Sequence, residues 1–241
     1  MTRRRLGFWR RFAVALVKPV MLVWTRRTWR GAEQLRRDGG IIIVPNHLSH
    51  ADPLVSAHFI YEAGRWPQYL GKASVFRVPV IGWILHRCRQ IPVERGTADA
   101  VKSLDKLIAA LDAGGAVVIY PEGTITREPE LWPMKGKTGA ARLALATGAP
   151  VIPLAMWGPE KLFDARSNRF GLRPRTPVTV VAGEPVDLSR WAGATPSRAV
   201  LEEMTEEIML SLRDLLAGIR GGTPPPLWER PARLRTPEVT E

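Results

Sequence analysis

The chain has 241 residues, of which 45% are hydrophobic, so it can build a compact domain with a buried core; a disordered tail and a small disulfide-stapled module are excluded. The single cysteine, Cys88, cannot form an internal disulfide, and no Cys and His residues have zinc spacing, so we expect a reducing compartment and no metal. Lysine and arginine outnumber aspartate and glutamate by 35 to 23, a net charge of +12, which favours an anionic partner: nucleic acid, anionic lipid or a phosphate-bearing substrate.

The basic charge is concentrated at the N-terminus, where residues 1–30 include nine basic residues and no acidic one. Residues 12–24 are apolar apart from Lys18, but this run is shorter than the roughly 20 residues that cross a bilayer, and no secretory cleavage site follows it. A basic stripe lies opposite a broad apolar face: Arg4, Arg11 and Lys18 against Trp9, Phe12, Leu16, Val20 and Val23. The pattern predicts helices on a membrane surface, bent or divided in two at Pro19. The alternative is a helix packed on the core.

Strand-like and helix-like stretches then alternate along the chain. The predicted strands are 41–44, 116–120, 151–156 and 178–182. The predicted helices are 97–113, 138–146, which Gly148 closes, and one between Pro196 and Gly221. This alternation is typical of an α/β fold in which helices cover a central sheet. We therefore expect three parts: membrane-associating helices over 1–30, an α/β domain over 31–221, and a proline-rich, partly mobile tail over 222–241.

Polar residues follow the first predicted strand, at the place where an α/β fold usually carries its site. His47 and Asp52 are five residues apart, and their side chains can meet across a turn that enters a helix. A carboxylate that accepts one imidazole N–H leaves the other ring nitrogen free as a base near neutral pH. His50 is the competing histidine. In the alternative interpretation, Asn46 and Asp52 only cap the helix.

Two further segments carry candidate ligand-binding residues. Glu122, Gly123 and Thr124 follow the second strand, where glycine admits a ligand to the backbone and its neighbours offer a carboxylate and a hydroxyl. An ordinary turn fits the same residues. Arg95 lies at the end of a short predicted strand in the segment 90–96, where an arginine is an anion ligand or, more commonly, a surface charge.

Taken together, these segments resemble the bacterial 1-acyl-glycerol-3-phosphate acyltransferases, a family of glycerophospholipid acyltransferases. The resemblance covers residues 25–185 and four motifs in order: Asn46-His47 with Asp52, then Arg95, then Glu122-Gly123-Thr124, then Val151-Ile152-Pro153. It implies that His47 is the general base and Asp52 its support. It also implies that Arg95 and the residues Glu122 to Thr124 bind the glycerol phosphate acceptor. The fourth motif is apolar, and we interpret it as packing.

The same resemblance implies a central mixed sheet flanked by helices, with an N-terminal two-helix membrane anchor over residues 8–24 that breaks at Pro19. The acceptor would be lysophosphatidate and the product phosphatidic acid, on the cytoplasmic face of the cell membrane. The donor would be acyl-CoA or acyl carrier protein, used as a cosubstrate with no bound cofactor. The acceptor alcohol itself attacks the thioester, so no acyl-enzyme is required.

The sequence departs from the family pattern near the acceptor motifs. Ile125 and Thr126 follow Glu122-Gly123-Thr124, the glycine loop, at positions where Arg and Ser are common. Residues 91–94 lack the usual Phe and Asp before Arg95. Lys72 and Lys137 occupy places where related enzymes have basic residues, so either can neutralise a phosphate or simply be solvated. Glycerol 3-phosphate and other lysolipids stay open as acceptors.

Two interpretations that assign the chain to other functional classes also stay open. A non-enzymatic membrane-surface protein would keep the N-terminal helices without needing a base. A nucleic-acid-binding protein would fit the charge, but it gives no reason for His47, Asp52 and the glycine loop, so we expect no nucleic acid partner.

Overall fold

The computed structural model describes residues 7–93 and 99–229. The strands are β1 (Thr25–Arg30), β2 (Ile41–Pro45), β3 (Pro67–Lys72), β4 (Ile91–Val93), β5 (Ala116–Val118), β6 (Val151–Trp157), β7 (Phe163–Asp164), β8 (Arg169–Phe170) and β9 (Thr176–Ala182). The α-helices are α1 (Phe8–Trp24), α2 (Asp52–Glu62), α3 (Ala73–Phe76), α4 (Ile81–Arg87), α5 (Asp99–Asp112), α6 (Gly139–Thr147), α7 (Pro159–Leu162) and α8 (Arg198–Arg220).

Seven strands form one mixed sheet in the spatial order β1-β9-β6-β2-β5-β3-β4. The five strands from β6 to β4 in this order are parallel; β9 is antiparallel to β6, and β1 runs parallel to β9. The mixed α/β fold predicted from the sequence is confirmed. Because the carboxyl ends of parallel strands meet at one edge, the loops after β2, β5 and β6 lie side by side there.

Helices cover both faces of the sheet, which explains why β2 is aliphatic throughout. Ile41 and Ile43 point to the face covered by α1 and α2, where Phe59 is fully buried. Ile42 and Val44 point to the opposite face, which is covered by α5, α6 and α8. A strand buried on both faces reads as a continuous hydrophobic run, as 41–44 does.

The helix ends follow the local signals in the sequence. Gly148 adopts a left-handed conformation (φ +65°) and closes α6, as predicted. The C-terminal helix α8 begins after Ser197, whose side-chain oxygen accepts a hydrogen bond from the N–H of Val200 at 3.2 Å, and ends just before Gly221. The predicted strand 116–120 is shorter than expected, because β5 ends at Val118.

The N-terminal segment forms one helix, so the prediction of two helices was wrong. Pro19 lies inside α1, and the helix continues to Trp24. The helix packs on α2 and α4 and buries Met21, and this tertiary packing offsets the backbone donor that proline removes. Residues 25–30 were expected to belong to the same segment, but they form β1, which pairs along its whole length with β9.

The outward face of α1 is mostly apolar; Arg11 is exposed on it, whereas Arg10 and Lys18 contact neighbouring parts of the domain. Lys18 Nζ lies 3.0 Å from Glu62 Oε1, and Arg10 stacks over the ring of Trp66. Trp9, expected on the apolar outer face, packs instead against Trp83 with ring centroids 4.3 Å apart. The exposed large side chains of the helix are Phe8, Phe12, Leu16, Val20, Leu22 and Val23. Within residues 7–93 and 99–229, no helix has both the length and the hydropathy needed to cross a membrane.

The first part of the tail is packed on the domain. Leu227 packs against the cluster that includes Trp132 and α8, and the carbonyl of Trp228 accepts a hydrogen bond from the N–H of Lys135 at 2.9 Å. The remaining tail residues, 230–241, lie outside the described residues, so the expected mobility there stays a prediction.

Candidate active site

His47 and Asp52 lie in the loop between β2 and α2, and their side chains meet. His47 Nδ1 lies 2.8 Å from Asp52 Oδ2, which also accepts the backbone N–H groups of Leu48 at 2.6 Å and Ser49 at 2.8 Å. An oxygen that accepts two N–H groups carries no proton of its own, so Oδ2 also accepts from the imidazole. Nδ1 is therefore the nitrogen that carries the proton. The other ring nitrogen, Nε2, is then free to accept a proton from a substrate.

The Asp52 carboxyl is fully buried. Burial raises its pKa, and the hydrogen bonds from His47, Ser49 and Leu48 act in the opposite direction. Its second oxygen, Oδ1, is buried without a hydrogen-bond partner among the described residues. Neither Asn46 nor Asp52 caps α2, whose N-cap is Ala51 with no side-chain hydrogen bond, so the capping alternative is wrong.

Asn46 fixes the start of this loop to the neighbouring strand β6. Its Nδ2 donates to the carbonyl of Met156 at 3.0 Å, and its Oδ1 accepts from the N–H of the same residue at 2.7 Å. The Asn46 amide is buried, and both of its hydrogen bonds are with the backbone of Met156. The end of β2 is therefore locked in position directly before His47.

Glu122 fixes the loop from the other side. Its Oε1 accepts the backbone N–H of His47 at 3.0 Å, and its Oε2 accepts that of Met134 at 3.1 Å. The N–H of Thr126 in turn donates to the carbonyl of His47 at 2.7 Å. The side chain is only 4% exposed, and burial raises its pKa to about 8. The geometry gives Glu122 a positioning role, whereas the sequence suggested direct contact with an acceptor.

Gly123, Thr124 and Lys137 are brought together at the surface beside this loop. Gly123 has φ +69°, and a Cβ there would lie 3.2 Å from Lys137 Cδ, so the lysine stem crosses the glycine. The backbone N–H of Lys137 donates to the carbonyl of Pro121 at 2.8 Å. Thr124 and Lys137 are exposed. The arrangement places an ammonium group beside Gly123, which directly follows the carboxylate that binds the backbone of His47.

Two predicted anion ligands are described only in part or not at all. Lys72 is the last residue of β3, so its backbone reaches the same edge of the sheet as His47. Arg95 lies outside the described residues. The roles of both stay predictions.

Tyr120 is a residue that the sequence analysis treated only as the end of a strand. Its ring lies against the imidazole of His47, with ring centroids 4.3 Å apart and an interplanar angle of 32°. Its hydroxyl lies 3.3 Å from Ser56 Oγ, which contacts the hydroxyl of Tyr69 at 2.7 Å. Burial raises the pKa of Tyr120, so it stays neutral and holds the imidazole plane. Its position directly before the glycine loop was the only available signal.

His50 points to another part of the molecule. Its ring packs against Phe163, with centroids 5.3 Å apart, and its side chain is exposed. His47, and not His50, therefore pairs with Asp52.

An apolar cavity of about 440 Å³ lies between α1, α2, β3, α3 and α4. Its wall includes Val14, Val17, Leu54 and Phe76, and it reaches Pro53, which directly follows Asp52. A long hydrocarbon chain fits this lining, because it removes apolar surface from water without leaving polar groups unpaired.

The fold and site define an α/β protein in which a histidine, paired with a buried aspartate, lies at the carboxyl edge of the sheet. The family model described as Acyltransferase matches residues 26–157. The chain therefore belongs to the acyltransferase family.

Curated relatives carry consistent names. The chain is 28% identical over 159 residues to "1-acyl-sn-glycerol-3-phosphate acyltransferase BAT2, chloroplastic" of Brassica napus, covering 65% of this chain and 44% of that protein. It is 28% identical over 134 residues to the 1-acyl-sn-glycerol-3-phosphate acyltransferase of Borreliella burgdorferi, covering 55% and 52%. The chain thus spans about half the length of these curated relatives.

A crystal structure shares the fold. The 1-acyl-sn-glycerophosphate acyltransferase PlsC from Thermotoga maritima superposes with a TM-score of 0.62 at 21% identity, covering 91% of this chain and 81% of that chain. At this identity the likeness shows the fold.

Proposed function

We propose that the protein transfers a fatty acyl chain from acyl-CoA or acyl carrier protein to a hydroxyl of 1-acyl-glycerol-3-phosphate, giving phosphatidic acid. The observation that carries this proposal is the 2.8 Å contact between His47 Nδ1 and Asp52 Oδ2, with Oδ2 held by two backbone N–H groups. The acceptor is chosen because the relatives are named for it.

The reaction follows from this pair. His47 Nε2 takes the proton of the acceptor hydroxyl as its oxygen attacks the thioester carbonyl, and Asp52 stabilises the imidazolium that forms. When the tetrahedral intermediate collapses, the C–S bond breaks and the thiolate leaves with the proton from His47. The ester bond replaces the thioester bond, so no oxidant, metal or covalent enzyme intermediate enters the balance.

The acceptor head binds where the glycine loop and the basic residues meet. Lys137 crosses Gly123 beside the exposed Thr124, which supports a phosphate site at this place. Arg95 and Lys72 complete the proposed set. Glu122 contributes indirectly, because it holds the backbone of His47 in place.

The acyl chain enters the apolar cavity. The cavity touches Pro53, one residue beyond Asp52, so a chain bound there brings its carbonyl end toward the base. One wall of the cavity is α1, whose outward face is mostly apolar, and this supports association of the enzyme with a membrane. We place it on the cytoplasmic face as part of the proposal.

Thiol release from acyl-CoA tests the proposal directly. The acceptors to compare are lysophosphatidate, glycerol 3-phosphate and a lysolipid without a free phosphate. We expect turnover with lysophosphatidate and loss of roughly two to four orders of magnitude in His47→Ala, with little change in the matched control His50→Ala. Faster turnover with another acceptor would reassign the substrate. No turnover with any of them would favour a non-enzymatic membrane-surface protein.

A further inference from the structure

The segment 161–175, which includes the β7–β8 hairpin, exposes two large apolar side chains beside the site. Phe170 is 67% exposed and Leu172 is 86% exposed. Exposed apolar side chains of this size cost free energy in water unless a partner covers them. They lie two residues apart, close enough to enter one partner together.

The charge around these two side chains indicates which class of partner covers them. The fifteen residues 161–175 include five basic residues and one acidic residue, a net charge of +4. Arg169 and Arg173 directly flank the apolar pair and are exposed. The one acidic group, Asp164, is engaged inside the turn by Ser167 Oγ and by the N–H of Arg166. Apolar side chains flanked by arginines match an anionic lipid surface, whereas a second copy of this segment would repel it.

The segment is also continuous with the exposed face of α1. Trp24 Nε1 donates to the carbonyl of Gly171 at 2.7 Å, and the N–H of Arg175 donates to the carbonyl of Val23 at 3.0 Å. Val20 and Val23, near the end of α1, are exposed. Two apolar elements from distant parts of the chain therefore adjoin at one side of the molecule.

The exposure of the hairpin is built into the fold. The N–H of Gly171 donates to the carbonyl of Leu162 at 2.9 Å, and a Cβ at Gly171 would lie 1.9 Å from the carbonyl oxygen of Lys161. Only glycine permits this close approach of two backbones. The ring of Phe170 also packs on Phe163, with centroids 4.7 Å apart.

The hairpin is joined to the loop that carries the base. Ser49 Oγ donates to the carbonyl of Phe163 at 2.6 Å, and Ser49 N–H is one of the two groups that hold Asp52 Oδ2. β6, which leads into the hairpin, is parallel to β2, which leads into the His47 loop, so both end at the same edge of the sheet. A surface that binds the hairpin thus lies beside the site.

We propose that segment 161–175 is a second membrane-contact element, which inserts Phe170 and Leu172 into an anionic bilayer next to α1 and turns the site toward the lipid. The proposal deepens the proposed function, on which it rests for a substrate that resides in the membrane. Two contacts from separate elements fix the orientation of the domain, which a single helix on the surface leaves free to rotate.

Sedimentation with vesicles of phosphatidylglycerol and phosphatidylcholine in equal parts tests this in the full chain. We expect Phe170→Ser combined with Leu172→Ser to weaken vesicle binding by roughly tenfold to a hundredfold, since two apolar side chains lose their burial. Binding equal to that of the parent would overturn the proposal.

A matched pair of charge reversals tests the arginines. Arg169→Glu with Arg173→Glu is compared with Lys106→Glu with Arg142→Glu, which lie exposed on α5 and α6 at the opposite face of the sheet. Both doubles change the net charge equally. We expect a much larger loss of vesicle binding for the variant with Arg169→Glu and Arg173→Glu. Equal losses would mean that net charge alone, and not this segment, governs attachment.

A fluorescent reporter identifies what covers the hairpin. Cys88, the only cysteine, is replaced in Cys88→Ala, and an environment-sensitive dye is attached at Leu172→Cys or, as control, at Lys106→Cys. We expect vesicles to raise the emission at position 172 only. A rise that depends on protein concentration without vesicles would show a second copy as the occupant and overturn the proposal. None of these readouts needs turnover, so failure of the proposed acyltransfer leaves them intact.

Discussion

The substitution Asp52→Asn separates two contributions of the Asp52 carboxylate: it fixes the imidazole tautomer, and it stabilises positive charge on His47 during the reaction. The N–H groups of Leu48 and Ser49 both point at Oδ2, at 2.6 and 2.8 Å. They direct the amide oxygen of the asparagine into the Oδ2 position and its NH₂ group into the position of Oδ1. The proton therefore stays on His47 Nδ1, and the variant mainly loses the charge.

The size of the effect follows from the geometry. With Nδ1 and Oδ2 2.8 Å apart, the charge centres of the imidazolium and the carboxylate lie roughly 4 Å apart, where their attraction is about 4 kcal/mol at an effective dielectric constant of about 20. Since about 1.4 kcal/mol is a factor of ten in rate and the amide dipole retains part of the attraction, kcat should fall by roughly 10² to 10³. The new NH₂ group has no partner near Oδ1, which adds a stability cost of about 1–3 kcal/mol.

Initial rates of thiol release with saturating lysophosphatidate measure this loss. Asp52→Ala is the comparison, because it removes the charge and the anchor for the tautomer together and leaves the N–H groups of Leu48 and Ser49 unpaired. We expect Asp52→Ala to be the slower of the two, while both fold as judged by circular dichroism. Equal rates for the two variants would show that charge contributes everything, and parental rates in Asp52→Asn would refute the argument from charge.

Three further predictions concern the residues around the base. Asn46→Ala leaves the buried N–H and carbonyl of Met156 unpaired, so urea unfolding should show a loss of about 2–5 kcal/mol, and a loss below about 1 kcal/mol would contradict the role of this amide. Glu122 has a pKa raised to about 8 from 4.5, so its contribution to stability is present below pH 4.5 and is lost as the pH rises through 8. Unfolding measured across this range should show the stability of the parent falling relative to Glu122→Gln, and parallel curves would refute it. Gly123→Ala places a Cβ in a left-handed conformation against Lys137, so we expect a loss of about 1–2 kcal/mol and a several-fold rise in KM for the acceptor, with KM for acyl-CoA unchanged; equal rises would place Gly123 outside the acceptor site.

Features that depend on neighbouring residues were predictable from the sequence. The aliphatic run of β2 and the glycine that closes α6 are local signals, and both were correct. The meeting of His47 and Asp52 was also predictable, because a five-residue spacing spans one turn. The exposed apolar face of α1 was predictable apart from Trp9, but its packing partners were not, since no pattern within residues 8–24 identifies α2 and α4.

The supports of the base depend on contacts between distant parts of the chain. Asn46 and Met156 are 110 residues apart, and His47 and Glu122 are 75 residues apart. These contacts exist because β2 lies between β5 and β6, and the order of strands in a sheet is not encoded in any one segment. The sequence shows that Glu122 is a carboxylate beside a glycine, but only the order of strands in the sheet shows that its side chain points toward the backbone of His47.

The glycine loop therefore has two faces with different chemistry, and this changes what its residues can do. Glu122 lies inside and holds the N–H of His47, whereas Gly123 and Thr124 lie outside beside Lys137. Under the proposed function, we expect a change on the inner side to move His47 and to lower kcat for every acceptor, because the reacting geometry is disturbed. We expect a change on the outer side to alter the binding of one acceptor and to leave His47 in place. Acceptor preference would then vary through the outer side alone, while the inner carboxylate keeps the position of His47.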